Sequence, residues 1–129
     1  MELAIQKLTA LVFLLTGLSH VLQPRVWVRF FLNMREQGEV AGLLNAYVHG
    51  PTGLLIVAFH NRWSWPEVVV TLIGWSLTLK AAVYFLWPQL AVRVLAGVSE
   101  AQAWKFRVAG AVSIALAGLV GWIALRGAA

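Results

Sequence analysis

Residues 66–87 read PEVVVTLIGWSLTLKAAVYFLW and decide the fold. The stretch is apolar along nearly its whole length, with Glu67 near its start and Lys80 inside it as its charged residues. A helix that crosses a bilayer core needs about 17–25 such residues. We therefore predict a membrane-spanning helix that starts at Pro66 and reaches Trp87, just before Pro88, because proline is tolerated best at the edges of a helix.

Three further stretches predict spans of the same kind, at about Leu3–Leu22, Val40–Phe59 and Phe106–Leu125. The composition agrees, since 60% of residues are hydrophobic and only 12% are charged, against about 25% charged residues in soluble domains. A chain of 129 residues is too short to hide this much apolar surface in its own core, whereas lipid can cover it. The predicted fold is all-α, a bundle of four transmembrane helices in a single domain over residues 1–129.

Composition also excludes several kinds of chemistry. The chain has no cysteine, which rules out disulfides, iron–sulfur clusters, thiolate metal sites and cysteine nucleophiles. The formal net charge is +5, but the ten basic residues are scattered singly, so nucleic-acid binding is not expected. These residues are better explained as determinants of membrane topology and as contacts to anionic head groups.

Two segments between the spans predict short amphipathic helices that lie in the head-group layer, with ordinary polar linkers as the alternative. In Arg25–Gly38 and in Gln89–Val98, apolar residues recur at helical spacing and basic residues lie on another face. The apolar faces are Trp27, Phe30, Phe31 and Met34 in the first segment, and Leu90, Val94 and Val98 in the second. We call these two segments the connectors.

The distribution of basic residues predicts the orientation. The connectors and their flanks hold Arg25, Arg29, Arg35, Arg93, Lys105 and Arg107, and the opposite side holds Lys7, Arg62 and Arg126. This excess places the connectors with their flanks, residues 24–38 and 88–105, in the cytoplasm, and it places both termini in the periplasm. Lipid head groups are expected to contact Arg25, Arg29, Trp27, Arg93, Lys105 and Arg107.

The chain further predicts two copies of one unit, at about residues 1–62 and 63–129. Val21–Phe30 aligns with Phe85–Val94, from 21 to 85 an offset of 64 residues, and its leucine, proline, valine and arginine match. After one residue of slippage, Gly53–Ala58 matches Gly118–Ile123 in character. A unit that crosses the membrane twice returns to its starting side, so the repeats would be parallel helix hairpins. Chance similarity between hydrophobic segments is the alternative.

Each half resembles a family of very small bacterial inner-membrane proteins with two helices, through its glycine–leucine stretch, proline turn and basic connector. Residues 53–84, with His60-Asn61 and the sequence TLIGW at 71–75, also resemble uncharacterised four-helix bacterial membrane proteins. A weaker similarity, through Gly17–Pro24, is to the four-helix membrane family associated with thiosulfate–quinone oxidation. These resemblances imply a multi-pass protein of the bacterial inner membrane and carry over no activity.

Lys80 is the most informative single residue, because it lies about seven residues, roughly 10 Å, inside its span. A lysine at the centre of a span costs on the order of 2.5–3.5 kcal/mol and predicts function, unless its long side chain reaches the interface as an anchor. Asn45, His49, His20 and Tyr84 are expected in the same, cytoplasmic half of the bundle. With Lys80 they would form either interhelical hydrogen bonds or a polar pocket for a small ligand or a quinone head group.

The histidines do not predict a metal or haem site. His20 is expected close to the cytoplasmic surface and His49 about nine residues into its span, and this difference in depth argues against a shared haem. His60 is expected at the outer interface beside Asn61 and Arg62. No pair of ligands has the spacing of a metal site. No cofactor is predicted, and a bound lipid or quinone is the ligand that the sequence leaves open.

All five carboxylates fall at span ends or in connecting segments, at Glu2, Glu36, Glu39, Glu67 and Glu100. Proton coupling through a buried carboxylate and paired-carboxylate catalysis are therefore unsupported. We predict that the chain is no enzyme but a small accessory or structural membrane subunit. Its partners would be the bilayer and other membrane subunits, in a respiratory or photosynthetic complex or a homo-oligomer. The alternative is a protein that binds or transports a small ligand or quinone in a pocket around Lys80.

Overall fold

The computed structural model describes residues 1–128, and the prediction of an all-α chain with four long apolar helices is confirmed. Four helices are long and apolar enough to cross a membrane: α1 (Glu2–Leu22), α3 (Val40–Phe59), α4 (Val68–Leu86) and α6 (Ala103–Ala128). Two shorter helices are the connectors, α2 (Pro24–Glu36) and α5 (Pro88–Ala96), and a 3₁₀ turn at Glu100–Gln102 leads into α6.

The predicted boundaries hold to within a few residues. Helix α3 begins and ends at the predicted residues, whereas α4 begins two residues after Pro66. Pro66 lies in a turn in which the Val68 N–H donates to the carbonyl oxygen of Ser64 at 2.8 Å. Helix α6 extends beyond the predicted Phe106–Leu125 at both ends, because hydropathy marks the apolar part of a helix and not its polar ends.

The spans pack as two antiparallel pairs, α1 with α6 and α3 with α4. The first pair approaches most closely at Gly17 and Gly110, where a Cβ on either glycine would lie 2.7–2.8 Å from the carbonyl oxygen of the other. The predicted repeat units contain α1 with α3 and α4 with α6. The two spans of each predicted unit therefore pack chiefly against the spans of the other unit.

The bundle has a connector end, formed by α2 and α5, and a loop end, formed by residues 60–67 and the start of α1. A buried cluster in the loop half draws on all four spans and contains Ile5, Ile56, Val70, Val120 and Ile123. A second cluster, of Met34, Ala41 and Leu95, joins the two connectors to α3. The middle of the bundle, between these two clusters, contains the polar residues described below.

Both connectors are helical, as predicted, and the residues that α5 buries are not those of its apolar face as named from the sequence. Ala91 and Leu95 are buried, whereas Leu90 and Val94 are 39% and 62% exposed. A helix in the head-group layer has two apolar neighbours, protein and lipid, and the periodicity does not say which apolar residues meet which. Ala91 and Leu95 are buried against the bundle, and Pro88 at the start of α5 lies close to Gly42 of α3.

Candidate functional site

Lys80 and His49 meet where α4 packs on α3. The Lys80 Nζ lies 3.2 Å from His49 Nε2, and His49 Nδ1 lies 2.9 Å from the backbone carbonyl oxygen of Asn45. A carbonyl oxygen only accepts hydrogen bonds, so Nδ1 carries the proton and donates, and Nε2 accepts from the lysine ammonium. A charged donor inside a span is thus bonded to a neutral acceptor.

The register of the two helices fixes the depth of this contact. Gly50 faces Ala81 across the pair, and the hydrogen bond to Asn45 draws the His49 ring toward the connector end. The Lys80 side chain therefore extends toward the connector end, and its Nζ lies 5.9 Å from the centre of the Tyr84 ring. This is the direction of an anchoring lysine, but the ammonium ends on a specific partner within the protein.

Five residues were predicted for the pocket, and the structure brings together Lys80, His49, Asn45 and Tyr84. It places the fifth, His20, in a different group. Its ring stacks on Trp27 with the ring centres 4.0 Å apart and on Phe106 at 6.0 Å. His20 Nδ1 donates to the carbonyl oxygen of Thr16 at 2.8 Å. Trp27 Nε1 also donates to Ser19 Oγ at 2.9 Å. His20 and Trp27 therefore fasten connector α2 to α1 and α6.

Asn45 adds a polar atom beside His49 that makes no hydrogen bond within residues 1–128. The side chain is 6% exposed, and its Oδ1 is buried without a partner in that part of the chain. Buried polar atoms are nearly always hydrogen-bonded in folded proteins, so each exception needs an explanation. This oxygen lies one helical turn from His49 on the same face of α3.

A partly open cleft of about 210 Å³ separates the two helix pairs next to His49. Its polar lining consists of Thr16, His49, Thr52 and Ser113, and its apolar lining consists of Val12, Phe13, Val48 and Leu77. Ser113 Oγ donates to the carbonyl oxygen of Phe13 at 2.8 Å, which ties α6 to α1 at this level. An apolar cleft with a few polar groups is the usual form of a small-molecule site.

A second polar cluster, at the loop end, was not predicted. His60 was expected at the interface but is fully buried, at 0% exposure. Gln6 Nε2 donates to His60 Nε2 at 2.9 Å, and His60 Nδ1 lies 3.5 Å from Thr71 Oγ1. This cluster ties α1 to the α3–α4 pair. No sequence spacing points to it, because its members come from three helices or their ends.

Burial lowers the pKa of His60 below its ordinary value. A hydrogen bond to the His60 backbone acts in the opposite direction and raises the pKa, but by less than burial lowers it. The negative charges of Glu2 and Glu67 oppose the shift in pKa, and the positive charge of Arg62 adds to it. His60 is therefore held in its neutral form.

The residues predicted to meet lipid head groups lie at the connector end. Arg25, Arg29, Arg93, Lys105 and Arg107 are all exposed, and Trp27 is half-buried under His20. Arg25 and Arg29 line a surface hollow of about 560 Å³ together with Val28 and Glu100. The exposure of these side chains suits contact with head groups, which stays a prediction.

Within residues 1–128, no three histidine, aspartate or glutamate side chains come close enough together to hold a metal ion. No protein-family model matches the chain, and no curated protein or solved structure is significantly similar to it. The resemblances drawn from short motifs therefore stay predictions, and function has to be argued from the residues themselves.

Proposed function

We propose that the chain is a non-catalytic integral membrane protein that packs laterally against a larger membrane complex as an accessory subunit. The observation that carries this proposal is a groove of about 540 Å³ along α6 and α1. Two glycines, Gly118 and Gly121, lie on it with no atom within 4 Å of where a Cβ would stand. Small residues on a span let the backbone of another helix approach closely.

The same helix supplies an internal comparison. Gly110 is in contact with Gly17 of α1, and the absence of side chains there allows the two backbones to touch. Gly118 and Gly121 also lack side chains, but no other helix within residues 1–128 lies against them. Glycine inside a helix is about 1 kcal/mol less favourable than alanine, so its use on an open face favours a neighbouring helix. A respiratory or photosynthetic complex, or a second copy of the chain, is the proposed neighbour.

Filling the groove is expected to release the neighbour while leaving the chain folded. Gly118→Leu and Gly121→Leu should each reduce the partner recovered with the tagged chain after mild detergent extraction of native membranes by about tenfold or more, a loss on the order of 1.4 kcal/mol. The matched control is Ala109→Leu, at an exposed position on a different face of α6. A wild-type chain that migrates alone would contradict the proposal.

We also propose the duplicated architecture and the orientation predicted from the sequence, in the bacterial inner membrane. In a duplicated chain, α1 corresponds to α4 and α3 corresponds to α6. A twofold axis along the membrane normal would then relate the α1–α6 pair to the α4–α3 pair. The spans do pack in these two pairs, which supports the duplication. The basic connector end supports a cytoplasmic position for α2 and α5.

The orientation is testable because the chain has no native cysteine. A membrane-impermeant maleimide should label Ser64→Cys, at the loop end, in intact cells. Ser99→Cys, at the connector end, should be labelled only after the membrane is opened. Both serines are exposed, so the two sites are matched in accessibility. The reverse labelling pattern would contradict the proposed orientation.

A second candidate function, the binding of a small ligand such as a lipid or quinone, is favoured by the cleft beside His49. Its walls are apolar and its polar groups lie on three different spans, as in small-molecule sites. The extraction experiment above also tests it, because mass spectrometry of the purified chain would then detect a small molecule in place of a protein. Thr52→Leu, which fills the cleft, should remove that molecule.

A further inference from the structure

The charge of Lys80 has no carboxylate partner within residues 1–128. In that part of the chain, the one ion pair joins Arg62 Nε to Glu2 Oε1 at 3.1 Å, at the loop end. The hydrogen-bond partner of the ammonium, His49 Nε2, is uncharged, and the Tyr84 ring contributes only its π face. A cation at the level of a span is costly unless a negative charge or water compensates it.

The position of the ammonium is that of a site for an acidic head group. The side chain extends toward the connector end and stops beside Tyr84, two residues before α4 ends at Leu86. Lys80 is also exposed at the surface of the bundle, so a molecule in the surrounding lipid can reach it.

The cleft adjoins the Lys80–His49 pair through His49, which is one of its lining residues. His49 belongs to both features, because its Nε2 accepts from Lys80 and its side chain lines the cleft. Beyond His49 most of the lining surface is apolar, from Val12, Phe13, Val48 and Leu77, and the polar side chains on it are Thr16, Thr52 and Ser113. A volume of about 210 Å³ is below the roughly 300–1,000 Å³ of pockets for drug-sized ligands, so it suits part of one acyl chain.

We propose that Lys80 and the cleft behind His49 form a binding site for an anionic amphiphile, with its acidic head on the Lys80 ammonium and its apolar chain in the cleft. This inference rests on the second proposed function, the binding of a small ligand, and names its chemical class. The acidic head comes either from a free fatty acid or from an anionic phospholipid. Both carry a negative charge that can compensate the Lys80 ammonium, whereas a quinone is neutral and cannot.

The test measures binding of radiolabelled palmitate to the full chain in nanodiscs of neutral phosphatidylcholine. Palmitate should bind saturably, and its methyl ester, which has the same chain without the charge, should bind at least tenfold more weakly. Lys80→Met should weaken palmitate binding at least tenfold and Lys80→Arg less than threefold. Lys7→Met, which removes an exposed lysine near the loop end, should leave binding unchanged.

Two further measurements identify the source of the acidic head group and separate this inference from the more general proposal that the chain binds a small ligand. Displacement of palmitate by phosphatidylglycerol, dependent on Lys80, would assign the site to a phospholipid, and its absence would assign it to a free fatty acid. Equal binding of acid and ester, a comparison that needs no variant, would overturn the inference. If decylubiquinone bound in the cleft and Lys80→Met made no difference, the charged class would be wrong while small-ligand binding would stand.

Discussion

Replacing Gly110 by leucine is expected to push α1 and α6 apart and to destabilise the folded protein. A Cβ at Gly110 would lie 2.7 Å from the carbonyl oxygen of Gly17 and 2.8 Å from His20 Cβ. Carbonyl oxygens belong to the backbone and cannot turn aside, so the two helices must move apart. We expect a loss of about 3 kcal/mol, the upper end of the usual range for overpacking, seen as a lower thermal unfolding midpoint in mild detergent.

The matched control for this prediction is Gly118→Leu in the same helix. Nothing lies within 4 Å of a Cβ at Gly118, so the same side chain should leave the unfolding midpoint of the purified chain nearly unchanged. Alanine gives a finer comparison, because its helix propensity alone favours it over glycine by about 1 kcal/mol. Gly118→Ala should therefore stabilise and Gly110→Ala destabilise. Equal midpoints for the two leucine variants would show that α1 and α6 do not touch as described.

The spans were predictable because one physical constraint dominates them. A bilayer requires long apolar helices, and each spanning stretch meets this requirement through its own residues, independently of the rest of the chain. Helix α3 was therefore predicted to the residue. The pairing of α1 with α6 was not predicted, because it depends on Gly17 meeting Gly110, and glycine is common on membrane helices whether or not another backbone approaches it.

The candidate site was predictable only in part. The spacing of Asn45 and His49 placed them on one face of α3, and that face does meet Lys80. His20 was grouped with them because it is expected in the same half of the bundle, and this says nothing about the side of the bundle on which it lies. The proposed duplication supplies a reason for its separate position: at an offset of 64 residues His20 corresponds to Tyr84, and residues related by a twofold axis lie on opposite sides of it.

Acidification is expected to loosen the loop end through His60. Burial holds the pKa of His60 below the ordinary value of 6.5, so as pH falls the unfolded chain takes up this proton before the folded chain does. Between those two pKa values stability rises with pH, and lowering the pH from about 7.5 to 5 therefore reduces the free energy of unfolding. The loss is about 1.4 kcal/mol for each pH unit that separates the two values. Unfolding midpoints measured across this range should show it.

His60→Gln removes the titration and keeps a polar side chain beside Gln6 and Thr71, so its unfolding midpoint should change with pH less than that of the wild type. Other groups titrate in both proteins, and the difference between the two curves isolates His60. Glu2→Gln should have the opposite effect on the curve. The negative charge of Glu2 raises the pKa of His60 against the larger effect of burial, so its removal should lower that pKa further and increase the sensitivity to acid. Parallel curves for the wild type and His60→Gln would mean that His60 has the same pKa in the folded and the unfolded chain, which would contradict the burial of this side chain.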